Sequence, residues 1–204
     1  MQKIVPIVEG DGEVLAVPSL ISRVLEHYGW SSTWYAGGTI RAGNIGHFKK
    51  NLYRYLKLAD LEPQCGGILV LFDYEDGCPK TEAIELATAI RKLNLVYPIS
   101  IVLAHREYEA WFLASLSTIA GNFDLPAGLT YDNNVEAIRG VKEWFGKNMS
   151  QTPPKAYKPT IHQEPMTKLI DIEVAMQRSR SFQRLVNAIR ELVHNDLGVV
   201  TPAE

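Results

Sequence analysis

The stretch Ile4-Val5-Pro6-Ile7-Val8-Glu9-Gly10-Asp11-Gly12-Glu13 decides the fold. An apolar run stops in a glycine-bracketed acidic turn, and helical spacing follows, with Leu20, Ile21, Val24 and Leu25 on one side. This is how a βα unit opens. Two later apolar runs end in the same manner. Residues 67–72 lead into Asp73-Tyr74-Glu75-Asp76-Gly77, and residues 99–104 lead into His105-Arg106-Glu107-Tyr108-Glu109. Strands alternating with helices predict a mostly parallel, Rossmann-like α/β sheet with right-handed crossovers, flanked by helices. If these strands are neighbours, their acidic ends meet in the crevice outside the carboxyl ends of the sheet, where such folds bind ligands. Carboxylates gathered there repel one another unless a cation is present. Hard oxygen donors of this kind suit Mg2+ or Mn2+.

The chain of 204 residues has room for one domain with a substantial core. The reading is an α/β core over residues 1–120 and a helical C-terminal extension packed on it over residues 121–204. No apolar run is long enough to span a bilayer, and the first ten residues are interrupted by Pro6 and Glu9 and lack a cleavage site for export. A cytoplasmic protein with no membrane partner is the default expectation. Cys65 and Cys78 are too far apart for a C-x-x-C motif and read as reduced packing or loop residues. A formal charge of -2 argues against a protein that simply coats DNA.

Further strands are expected at residues 3–8 and 32–35, and helices at 15–28, 45–58, 79–95, 107–119, 134–147, 171–178 and 181–194. Pro18 fits if it lies in the first helical turn. Ser181 reads as the N-cap of the last helix. Residues 37–44 and the Pro- and Lys-rich residues 150–165 read as loops, and the tail from Gly198 as frayed.

Three short motifs carry a resemblance: Val8-Glu9-Gly10, Asp73-x-Glu75 after an apolar strand, and Tyr108-Glu109-Ala110-Trp111 after another. Together they resemble the Toprim fold of topoisomerases, primases, recombination proteins and overcoming-lysogenization-defect nucleases. The closer likeness is to small stand-alone Toprim-like proteins of bacteria, suspected of acting in phage defence beside an ATPase. In the family the first Glu serves acid/base chemistry or metal binding, and an Asp-x-Asp pair holds a divalent metal. The resemblance thus implies a Mg2+-dependent nuclease acting on DNA or RNA. It assigns Glu9, Asp73, Glu75 and Glu109 as metal ligands, with Glu9 and Glu109 also catalytic. Glu75 departs from the family's second Asp.

The residues support this chemistry beside the resemblance. Asp73 and Glu75 are two apart, so in extended backbone they project toward one side. Arg106, beside the third strand end, is placed to meet a substrate phosphate. Arg41 in the Gly-rich stretch, Lys50 and Arg54 on one helix face, and Lys155, Lys158, Arg180 and Arg184 in the C-terminal third are candidate nucleic-acid contacts. The plainer alternatives stay open: acids at strand ends also serve as helix caps, and basic faces are commonly solvated. Two other functions remain, a non-catalytic module that binds or senses a protein partner such as an ATPase, and a metal-dependent nucleotide phosphotransferase or phosphohydrolase. Monomer and homo-oligomer are equally compatible with the sequence.

Overall fold

The computed structural model describes residues 1–149, 157–194 and 198–202. Six parallel strands are present among them: β1 (Gln2–Val8), β2 (Trp34–Ala36), β3 (Ile40–Arg41), β4 (Cys65–Tyr74), β5 (Ile99–His105) and β6 (Val200–Thr201). The order is β2-β1-β4-β5-β6, with β3 also on β1. β2 pairs with the first half of β1 and β3 with its end, so the two act as one edge strand interrupted at Gly37-Gly38. The stretch expected to be a loop therefore carries Arg41 into the sheet, opposite Val8.

Strict alternation along the central strands builds two cores. Ile68, Val70 and Phe72 of β4 and Ile99, Ile101 and Leu103 of β5 face one way. Leu69 and Leu71 of β4 and Val102 and Ala104 of β5 face the other. The first side is covered by α2 (Ile45–Lys50), α3 (Leu52–Asp60) and α4 (Pro79–Arg91) through Phe48, Leu56, Leu86 and Ile90. The second is covered by α1 (Asp11–His27) and by the C-terminal helices. Because β1 leads to β2 on one side and β4 leads to β5 on the other, the strand order reverses between β1 and β4. Their carboxyl ends form the switch point of the sheet.

The remaining helices are α5 (Ala110–Ala114), α6 (Leu116–Ile119), α7 (Val141–Asn148), α8 (Pro159–Thr167), α9 (Ile172–Arg178) and α10 (Arg180–His194). The C-terminal region is helical as expected, and it does more than sit on a finished core. α10 lays Leu185, Ile189 and Leu192 on the same face as Val102, and β6 adds a strand beside β5, so the tail from Gly198 returns to the sheet instead of fraying.

Several boundaries differ from the periodic reading, each for a local reason. The helix expected over residues 45–58 breaks at Asn51, whose backbone (φ -120, ψ 25) leaves the helical range. The one expected over 107–119 breaks at Ser115, whose hydroxyl accepts the Asp171 N–H at 2.7 Å. α1 begins four residues early, so Pro18 lies inside it and not in its first turn. The missing Pro18 N–H frees the Val14 carbonyl, and the Thr39 hydroxyl donates to it at 3.0 Å. Only α7 forms from the helix expected over 134–147, because residues 134–140 turn the Glu136 carboxylate inward.

That carboxylate explains the sequence Ser179-Arg180-Ser181-Phe182. Glu136 Oε1 accepts from the Ser179 hydroxyl at 2.8 Å and from the Ser181 N–H at 2.7 Å. Ser179, not Ser181, caps α10, accepting the Phe182 N–H at 3.1 Å. Ser181 instead accepts the buried Trp111 indole N–H at 2.9 Å. Replacing Ser179 with Ala leaves Glu136 and the first turn of α10 each short of a partner. We expect Ser179→Ala to cost about 1–3 kcal/mol in denaturant unfolding, and an unchanged midpoint would contradict this network.

A candidate acidic site at the carboxyl ends of the strands

Glu9 follows β1, and Asp73 is the penultimate residue of the neighbouring strand β4; the register Val8↔Leu71 sets Glu9 level with Phe72, one residue before Asp73. The Asp73 backbone lies near enough to the Glu9 carboxylate to oppose the rise in its pKa that burial causes. Asp73 Oδ1 accepts the Tyr108 N–H at 2.8 Å, which ties the end of β4 to the turn after β5. Glu109 lies in that turn with 0% exposure, and its Oε1 accepts the Tyr157 hydroxyl at 3.0 Å. Glu75 is exposed beyond the end of β4 and within electrostatic reach of Glu9. The structure thus brings Glu9, Asp73 and Glu109 into one crevice, with Glu75 at its mouth.

Two further carboxylates line it. Glu13, in the first turn of α1, accepts the Gly10 N–H at 2.9 Å and the Gln163 side-chain amide at 2.9 Å. This one-way bond from the Gly10 N–H to Glu13 fixes the acidic turn, and Gln163 docks α8 on α1. Gly12 is required there: a Cβ would stand 1.9 Å from Gln163 Oε1 and 2.7 Å from Pro159 Cβ. Glu107 Oε2 accepts the backbone N–H of Val141 at 2.6 Å and of Lys142 at 3.4 Å, so it serves as the cap of α7. Gly140, with φ +70, provides the left-handed turn that starts α7 at this point.

Lys142 projects into the centre. Its Nζ lies 3.4 Å from each of Asp73 Oδ2, Glu107 Oε1 and Glu109 Oε2. Burial alone would lower its pKa, but Glu109, Asp73 and Glu107 outweigh that and raise it. The acids show the opposite strain. Burial raises the Glu109 pKa to about 7, against the pull of Lys142, with Glu107 and Glu13 adding repulsion. Burial and then Glu109 hold Asp73 well above its usual range, and burial and then Glu13 raise Glu9. One ammonium is not enough for this many carboxylates.

Arg106 sits at the end of β5 in a left-handed backbone (φ 75), donating its N–H to the Tyr74 carbonyl at 3.0 Å and its guanidinium to the Glu75 carbonyl. A non-glycine residue held in this region costs on the order of 1–3 kcal/mol, and such strain clusters at functional sites. The candidate phosphate contacts are scattered. Arg41 pairs with Asp11 at 3.0 Å, both exposed beside the end of β1. Lys158 is exposed next to Tyr157 at the start of α8. Arg180 is exposed at the start of α10, the end that carries Ser181 toward Trp111. Lys50 and Arg54 are exposed on α2 and α3, and the break at Asn51 means they share no continuous helix. Arg184 is committed elsewhere: it bonds Glu191 at 2.7 Å and Thr201 at 3.1 Å, beside Ser100 at the beginning of β5, the opposite end of the strand from the crevice. Lys155 lies outside the described residues.

Among the described residues no three Asp, Glu, His or Cys side chains close on a single point as they stand. The donor chemistry nonetheless fits a hard divalent cation: the crevice gathers carboxylate oxygens that outnumber the single Lys142 ammonium, and burial holds Asp73 and Glu109 above their usual pKa. Sequence reasoning missed Lys142, Tyr157 and Gln163. Nothing marks them locally, since each acts through a partner at least 33 positions away in the chain: Glu109, Glu109 and Glu13.

No helix among the described residues is long and apolar enough to cross a membrane. The family described as Domain of unknown function (DUF4276) matches residues 8–190, a span that begins one residue before Glu9 and takes in the whole crevice. No curated protein and no solved structure matches the chain.

Proposed function

The chain belongs to the DUF4276 family, and for this member we propose a Mg2+- or Mn2+-dependent phosphodiester-processing enzyme, a Toprim-type nuclease acting on DNA or RNA. The observation that carries the reading is the convergence of Glu9, Asp73 and Glu109 near the switch point of a parallel sheet, with burial and then neighbouring carboxylates raising the proton affinity of each. Glu9, Asp73, Glu75 and Glu109 are the residues that would hold the ion. When bound, it would neutralise charge developing on the phosphoryl oxygens and lower the pKa of an attacking water.

The chain's own groups supply the rest. Glu9, half-buried with a raised pKa, is suited to take a proton from water at the mouth of the crevice. Tyr157 fixes the Glu109 carboxylate through its hydroxyl. Arg106 presents its guanidinium beside Glu75, where it can meet a phosphate oxygen. Arg41 beside the end of β1, Lys158 next to Tyr157, and Arg180 at the start of α10 would track the nucleic-acid backbone.

One observation favours the second reading, a non-catalytic module for a partner such as an ATPase: Lys142 already provides a cation to the cluster. Affinity for short single- and double-stranded DNA and RNA, measured over a salt series in Ca2+ to suppress cleavage, separates the two. The enzyme reading expects binding that weakens steeply with salt, with Arg180→Gln flattening the slope by about one unit. No binding at low salt, together with tight association with an ATPase, supports the module.

A further inference from the structure

Lys142 stands where the crevice calls for a cation. Its ammonium stands 3.4 Å from each of Asp73 Oδ2, Glu107 Oε1 and Glu109 Oε2, a long reach to all three, and Glu109 itself has 0% exposure. An ammonium offers three hydrogens, whereas a divalent ion takes six or more oxygens. The lysine therefore engages these carboxylates at long range, with fewer contacts than a divalent ion would make in its place.

Two features make the lysine removable. Its side chain keeps 32% exposure, and its four-carbon stem is flexible, so the head group has a route to solvent. Its backbone is held independently, because Glu107 caps α7 through the Val141 and Lys142 N–H groups. The side chain can leave without unwinding the helix. Nor does the helix itself favour a cation there, since Lys142 lies in the first turn of α7, where the dipole disfavours positive charge. The acids, not the helix, hold it in place.

We propose that Lys142 and a divalent cation compete for Asp73 and Glu109, so that the metal enters only when the lysine side chain swings out of the crevice. This rests on the metal-site reading above and adds a built-in threshold for loading it. Two positive charges on the same oxygens repel strongly where water is excluded, which makes the two occupancies mutually exclusive.

Calorimetric titration of Mn2+ into the full chain and into Lys142→Met tests this. The variant is expected to bind at least about tenfold tighter, because the wild-type affinity is reduced by the fraction of molecules whose lysine has vacated the crevice. Lys142→Met leaves buried acids unpaired and can fail to fold, so a second measurement uses the wild-type protein. Acetic anhydride labelling of Lys142, read by peptide mass spectrometry, should rise on addition of saturating Mn2+. Equal or weaker binding by the variant, or Mn2+ bound with Lys142 labelling unchanged, overturns the competition while leaving the metal site standing. No Mn2+ binding by either protein overturns the metal site and the competition together.

Discussion

Asp73→Asn should abolish Mg2+-dependent cleavage of nucleic acid while leaving the fold as stable as before, or slightly more so. Asn is the informative replacement because Asp73 has two separable jobs. Its Oδ1 accepts the Tyr108 N–H at 2.8 Å, a hydrogen bond that an amide oxygen keeps and that Ala would lose. Its charge faces Glu9, Glu13 and Glu109, and burial makes that charge costly, so neutralising it relieves repulsion in the metal-free protein. Lys142 retains Glu107 and Glu109 as partners. A metal contributes several kcal/mol of charge stabilisation in such reactions, so loss of a ligand should slow turnover by about 10²–10³-fold or more. Thermal melts add a second readout: Mg2+ should raise the wild-type midpoint and leave that of Asp73→Asn unmoved. Equal stabilisation of the two by Mg2+ would remove Asp73 from the ligand set.

Without metal, the protein should lose stability between pH 5 and pH 8. Burial, opposed by Lys142, leaves the Glu109 pKa at about 7 in the folded chain, above its value in the unfolded one. The folded state therefore holds this proton more tightly. The stabilisation is complete below the ordinary glutamate range and disappears as pH rises through about 7. Asp73 and Glu9 are raised as well and push in the same direction. Glu109 alone accounts for about 3 kcal/mol at most, at roughly 1.4 kcal/mol per pKa unit. Asp76 and Glu191 have lowered values, so their opposite contribution acts below this window. Urea unfolding at the two pH values, with and without Mn2+, reads the effect. Glu109→Gln should flatten the dependence, and Mn2+ should restore stability at pH 8. Stability that climbs from pH 5 to pH 8 without metal would contradict the buried-acid account.

How much of this was legible in the sequence depended on whether a signal was local. The three central strands and their acidic ends were plain, because continuous apolar runs such as Ile68-Leu69-Val70-Leu71-Phe72 read the same wherever they are buried. α8 was hidden: Pro159 and Pro165 suggested a loop, yet Pro159 occupies the first helical position, where its missing N–H costs nothing. β6 is two residues long and exists only because β5 offers an edge. Arg184 looked like one more cation in a basic tail, and only the fold shows Glu191 and Thr201 meeting it. The crevice followed the same rule. Glu9, Asp73 and Glu109 announced themselves at strand ends, whereas Lys142 sits in a short amphipathic helix with nothing to set it apart. Its role comes from charges that other segments supply.

Anomalous scattering from crystals grown with Mn2+ would locate a divalent metal at the carboxyl ends of β1 and β4 and the turn after β5. A Mn2+ peak is expected on carboxylate oxygens of Glu9 and Asp73, with Glu109 turned toward it and the Lys142 side chain withdrawn. Manganese-loaded crystals with no peak in this crevice, or with the ion bound elsewhere while Lys142 still bridges Asp73, Glu107 and Glu109, would contradict a metal site here.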